Sequence, residues 1–181
     1  MLVNRSMPAS NVVPVLVYED VGEAVECLCE AFGFTERLRA GDHLAQLSLG
    51  EGAVMLTEQR VGQGFDSPDD AELRPPRRGE VSHSVMVRVE DADRHHERAR
   101  QHGTRILQPP ADHPFGEKQY TAEDLAGHRW TFSQSIADVA PEEWGGTVTS
   151  TPSQPARWSY VRPTPVVTGR ARDSSPAGGA G

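Results

Sequence analysis

The residues able to do chemistry are few and scattered. Two cysteines, Cys27 and Cys29, stand in Glu-Cys-Leu-Cys-Glu. On a helix, residues two apart point to nearly opposite sides, so these thiols can neither pair nor share a metal. They read as one buried thiol and one near the surface, in a reducing cytosol. Of the seven histidines, His95 and His96 fall in a helical pattern, where packing or exposure explains them. His102 precedes Gly103 and suits the negative end of a helix dipole. His43 and His113 fall in loops, and His128 opens a strand pattern after a turn. There is no Gly-x-Ser-x-Gly elbow, no phosphate-cradling glycine loop and no Cys-x-x-Cys. Chemistry must therefore come from side chains that the fold gathers.

The elements that gather them show as an internal repeat. Val15-Leu16-Val17-Tyr18-Glu19-Asp20 is an apolar strand reaching an acidic stop. Gly22–Phe32 follows with Ala24, Val25, Leu28, Ala31 and Phe32 at helical spacing, and Gly33 stands where a C-cap belongs. Val85-Met86-Val87-Arg88-Val89-Glu90-Asp91 opens a second copy, with a helix over Ala92–His102 closed by Gly103. Strands follow each helix. In the first copy these are Thr35–Arg39 and the hairpin Leu44–Leu49 with Ala53–Thr57. In the second they are Thr104–Gln108, Gln119–Ala122 and His128–Ser133. The fold class is α+β: two tandem β-α-β-β-β modules. One helix per module leaves one sheet face open, so the two sheets form a curved mixed wall around a cup, with helices outside.

The boundaries follow from composition. Residues 1–11 read as a flexible start, 12–60 as the first module, 61–80 as a polar linker and 81–146 as the second module. Ile136–Gly146 closes that module, with a last helical turn at Pro141–Trp144. Thr147–Gly181 holds four arginines and one acid among many Gly, Pro, Ser and Thr residues, and reads as a disordered tail. The chain of 181 residues carries net −8, of which the tail contributes +3 and the rest −11. An acidic body argues against nucleic acid as a partner. No apolar run reaches the ~20 residues of a membrane span, and no signal sequence opens the chain. The expected location is the cytoplasm.

The second module carries Val89-Glu90-Asp91-Ala92-Asp93, then Arg98-Ala99-Arg100-Gln101-His102-Gly103. Pro114-Phe115-Gly116-Glu117-Lys118-Gln119-Tyr120 and Glu123-Asp124-Leu125-Ala126-Gly127-His128-Arg129-Trp130-Thr131-Phe132 follow. With Glu23–Phe34 in the first module, these segments resemble the vicinal oxygen chelate superfamily, in its glyoxalase/bleomycin resistance branch with PhnB-like relatives. The resemblance spans about Val12 to Gln134; the family usually has Pro where Leu125 stands. It implies a fold far more specifically than a reaction.

The resemblance also implies where a divalent cation sits in the superfamily's enzymes: on the first and last strand of each module. Counted from the shared Asp and the shared turn Gly, those positions fall near Val13, at Met55 or Leu56, near Ser84 and at Thr131. None is a usual ligand. His83, Glu58 and Gln46 lie close by, and only a one-residue change of register would bring His83 into the cup. The expectation is therefore no cofactor and no metal, with His83 and Glu58 as weak candidates. Gln46, Ser84, Met86, Arg88, Phe115, Tyr120 and Thr131 are expected to line a ligand site, and Trp130 and Phe132 to face the helices. The expected function is metal-free sequestration of an aromatic or antibiotic-like small molecule, by a homodimer with neither nucleic-acid nor membrane partners. The alternatives are a metal-dependent lyase, isomerase or dioxygenase with a displaced ligand set, and a scaffold whose basic tail is the working part.

Overall fold

The computed structural model describes residues 4–59, 73–77 and 79–148. Most of the expected linker and nearly all of the expected tail lie outside the described residues.

Each module runs strand, helix, three strands. The first contains β1 (Val15–Tyr18), α1 (Val21–Phe32), β2 (Thr35–Ala40), β3 (Leu44–Leu49) and β4 (Gly52–Glu58). The second contains β5 (Val85–Arg88), α2 (Ala92–Gln101), β6 (Arg105–Asp112), β7 (Glu117–Glu123) and β8 (Arg129–Ser135). A 3₁₀ turn at Pro141–Trp144 closes it. The sheet orders are β1-β4-β3-β2 and β5-β8-β7-β6, the same topology used twice. In each sheet the outer pair, β1 with β4 and β5 with β8, is parallel, and the remaining pairs are antiparallel. The α+β class and the tandem repeat are as the sequence implies, with strand ends moved by one to four residues.

The acidic stop after the first strand of each module has a structural purpose. Asp20 and Asp91 are the N-caps of α1 and α2, and each Oδ1 accepts the backbone N–H three residues on, at 2.9 Å. Gly33 ends α1 at φ +76°, a left-handed conformation that glycine adopts without a Cβ clash.

The two helices contribute differently to the core. α1 buries Val21, Ala24, Val25, Leu28, Ala31 and Phe32, whereas α2 buries only Ala92 and Ala99. The aromatic bulk over the second sheet therefore comes from the other module: Phe32 packs on Trp130 and Phe132, with ring centroids 5.5 and 4.8 Å away. Leu16, Tyr18, Leu47, Leu56, Tyr120 and Ala122 join the same buried cluster. Trp130 and Phe132 are fully buried, facing the helices as strand alternation requires.

Polar contacts fix the modules to each other. The Tyr18 hydroxyl donates to Asp124 Oδ2 at 2.8 Å, and the Trp130 indole donates to the same oxygen at 3.0 Å. Asp124 Oδ1 accepts from the backbone N–H groups of Ala126 and His128. The His128 ring pairs through Nε2 with the Val17 carbonyl at 2.8 Å. Arg98 on α2 donates to the Glu30 and Cys29 carbonyls in the last turn of α1. Among the described residues, no strand of one sheet pairs with a strand of the other. The core thus joins the helix-covered faces, and each sheet turns its other face away from it.

Candidate functional site

The open face of the second sheet follows from register. Val85, Val87, Trp130 and Phe132 share the core side, so their neighbours Met86, Arg88, Thr131 and Ser133 share the open side. Across the antiparallel pair, Glu117, Gln119 and Thr121 of β7 stand opposite Ser135, Ser133 and Thr131. Three environments result. At one end the Ser84 and Thr131 hydroxyls hydrogen-bond each other at 3.0 Å. In the middle Met86 is 62% exposed, a large apolar side chain with no cover. At the other end Glu117 gathers three donors. It accepts from Ser133 Oγ at 2.6 Å, Ser135 Oγ at 2.6 Å and Arg88 Nη2 at 3.2 Å, while Gln119 Nε2 donates to Ser133 Oγ.

Burial alone would raise the Glu117 carboxyl. The Ser133 and Ser135 hydroxyls and the Arg88 guanidinium outweigh it and hold the group below the usual carboxylate range. Glu117 is thus a fixed anion and Arg88 its cation, with a contact from Arg88 to the Ser135 hydroxyl as well.

The rim at that end is aromatic. Phe115, in the β6–β7 turn, stacks on His113 at 5.0 Å and meets the edge of Trp144 at 5.8 Å. Gly116 makes this possible. At φ +78° it receives the backbone of the closing segment so tightly that a Cβ would lie 2.4 Å from the Ala137 carbonyl.

The first sheet's open face carries Val15, Met55, Thr57, Gln46 and Ser48. Gln46 is only 3% exposed, because it donates to the Ser6 carbonyl at 2.9 Å and accepts from Arg37 at 2.5 Å.

The structure brings Ser84, Met86, Arg88 and Thr131 together on one face, with Phe115 at its rim. Gln46 stands on the other module's open face. Tyr120 is a correction: it pairs with Phe132, is 1% exposed, and bonds through its hydroxyl to His95 Nδ1 at 2.5 Å. It is a core residue, and burial raises its phenol pKa. Glu58 shares the face of Leu56, as expected, but that face is the helix-covered one, and Glu58 is exposed at the end of β4. His83 is exposed in the segment before β5. Both cysteines are half-buried rather than one in and one out, and burial pushes both thiols up, away from thiolate reactivity. Sequence reasoning missed Glu117, Ser133, Gln119, Trp144 and Arg37. Of these, Ser133 carried a signal, the strict alternation from Trp130 and Phe132.

The donor set does not fit a divalent cation. Of the four positions, Met55 and Val13 are apolar, and Ser84 and Thr131 spend their hydroxyls on each other. Among the described residues, no cluster of three or more His, Cys, Asp or Glu side chains is placed to hold a metal.

The described residues also hold no helix long and apolar enough to cross a membrane. No curated protein matches the chain. Solved structures do. TioX from Micromonospora sp. ML1 is 32% identical, with a TM-score of 0.54, covering 72% of this chain and all of that one. A glyoxalase/bleomycin resistance protein/dioxygenase from Nocardioides is 19% identical, with a TM-score of 0.56, covering 75% of this chain and 90% of that one. Lactoylglutathione lyase from Agrobacterium tumefaciens is 17% identical, with a TM-score of 0.53 over 71% of this chain and 96% of that one. The last two share the fold alone. Residues 12–132, both modules, match the family model, so the chain belongs to the glyoxalase/bleomycin resistance protein/dioxygenase superfamily.

Proposed function

We propose that this chain is a metal-free small-molecule binding protein of the cytoplasm that sequesters an aromatic or antibiotic-like compound. The carrying observation is the second sheet's open face, where the two positions that the resemblance assigns to metal ligands hold the paired hydroxyls of Ser84 and Thr131. Met86 offers a dispersion surface, the Ser84–Thr131 pair offers hydroxyls, and Arg88 beside Glu117 offers a held cation. Such a mixture suits an amphipathic ligand with a flat apolar body and a few polar substituents.

Each open face is half of a cup. Because the core joins the helix-covered faces, a second copy of the chain is the natural source of the other half, so the binding unit is a homodimer. Titration of aromatic and antibiotic compounds, followed by tryptophan fluorescence, tests the reading. Binding by the wild type that weakens at least tenfold in Met86→Asp is the expected result, as buried apolar contact would be exchanged for a desolvated charge. Absence of binding across the panel, or stoichiometric metal in the purified protein, would overturn it.

A further inference from the structure

The segment before β1 lies across the open face of the first sheet, and two side chains hold it there. Arg37 is the extra residue of a β-bulge: Glu36 pairs with Leu47 and Leu38 with Gln46, leaving Arg37 unpaired between them. A bulge re-aims a side chain that regular alternation would send elsewhere. Here Arg37 reaches Gln46 on the open face. Its Nη1 donates to Gln46 Oε1 at 2.5 Å, and its Nη2 donates to the Arg5 and Met7 carbonyls at 2.6 and 3.0 Å. Gln46 Nε2 donates to the carbonyl between them, that of Ser6, at 2.9 Å.

Three successive backbone carbonyls are thus read by one guanidinium and one carboxamide. Their side chains take no part in these bonds, so the reading is of amide carbonyls and not of sequence. Apart from these contacts, Ser10 Oγ fastens the segment to the Glu51 carbonyl at 2.6 Å, and Ser6 N–H closes a local turn on Asn4 Oδ1 at 3.0 Å.

We propose that Arg37 and Gln46 form a recognition site for consecutive amide carbonyls, which the chain's own residues 5–7 occupy until a ligand displaces them. The inference rests on the small-molecule binding function and names its ligand class: an amide-rich, peptide-like compound. The reason is the cost of exchange. Removing the segment leaves the Gln46 carboxamide and the Arg37 guanidinium short of acceptors, and a ligand without carbonyls would bury those donors unpaired. A ligand carrying successive amide carbonyls replaces them one for one.

Two measurements on the full chain test this. The Arg5–Ser6 bond is a trypsin site whose carbonyl Arg37 holds. Release of residues 1–5, followed by mass spectrometry, is expected to be roughly fivefold faster in Arg37→Gln, the equivalent of one lost hydrogen bond; an unchanged rate would overturn the strap. In the second, N-acetyl-tetraglycine amide is titrated while the Gln46 side-chain amide is followed by NMR. A saturable shift is expected in Ser10→Ala, whose strap is loosened outside the site, and no shift in Arg37→Gln. No shift in the loosened variant, or an equal one with carbonyl-free 1,6-hexanediol, would overturn the ligand class. A fluorescence-panel compound that binds wild type and Arg37→Gln equally would leave the binding function standing and remove this site from it.

Discussion

Asp124 shows how one side chain can carry the junction between two modules. It is 4% exposed, yet its two oxygens accept from Tyr18, Trp130 and two backbone N–H groups, so the charge is buried with its acceptor capacity filled. The asymmetry of hydrogen bonding then makes a clear prediction. Asp124→Ala leaves four buried donors without an acceptor and should cost about 3 kcal/mol, whereas Tyr18→Phe removes one donor and leaves the carboxylate three others, costing about 1 kcal/mol. Urea midpoints at unchanged m-value check the ranking, and equal losses would contradict it. Tyr18 itself stays a neutral donor, since burial first and the Asp124 charge second raise its pKa well above the ordinary value.

The closing segment after β8 depends on a turn. Gly116 and Gly50 both have positive φ, but their surroundings differ: nothing lies within 4 Å of a Cβ on Gly50, while one on Gly116 meets the Ala137 carbonyl at 2.4 Å. Gly50→Ala should therefore cost about 1 kcal/mol of backbone strain. Gly116→Ala adds a backbone clash and should cost roughly 2–4 kcal/mol. It should also detach Phe115 from Trp144, read as a change in tryptophan emission that Gly50→Ala does not give. The β-bulge at Arg37 makes a related point, since one inserted residue decides which face receives a guanidinium.

The two modules fold as one unit because α2 is too poor in apolar residues to cover its own sheet. Phe32 of α1 completes that cover, and His95 of α2 bridges the seam by contacting the Tyr120 hydroxyl and the Phe32 carbonyl. Burial lowers the His95 pKa below its ordinary value of 6.5; the Phe32 carbonyl opposes the shift and the Arg98 charge adds to it. A depressed folded pKa means that the contribution is complete above about 6.5 and is lost as the pH falls toward the folded value, because the unfolded chain takes up the proton more readily. Wild-type stability should thus fall as the pH drops below about 6.5, before most carboxylates titrate. His95→Asn should be less stable at pH 7.5 and show a flatter slope below about pH 6.5. An unchanged slope would place the titration elsewhere.

Much of this was readable in order along the chain. The repeat, the acidic stops, the glycine stops and the core positions of Trp130 and Phe132 come from local patterns: period 2 in strands, 3.6 in helices, and a glycine C-cap. Alternation from Trp130 also put Thr131 on the open side. What no local pattern holds is pairing at a distance. Tyr120 was placed with the ligand residues because its face depends on its register against Phe132 across a turn, and that register is set by packing. Glu117 acquires its role only when β5, β7 and β8 bring Arg88, Ser133 and Ser135 around it. Gln46 is on the open face by alternation, yet it is covered by a segment forty residues earlier, through an arginine that a bulge re-aims. The sequence by itself determined the modules and which residues each must bury. Only the tertiary structure decided that the buried faces meet, and hence which faces remain open to a ligand, because burying Phe32 and Tyr18 requires partners that their own module does not supply.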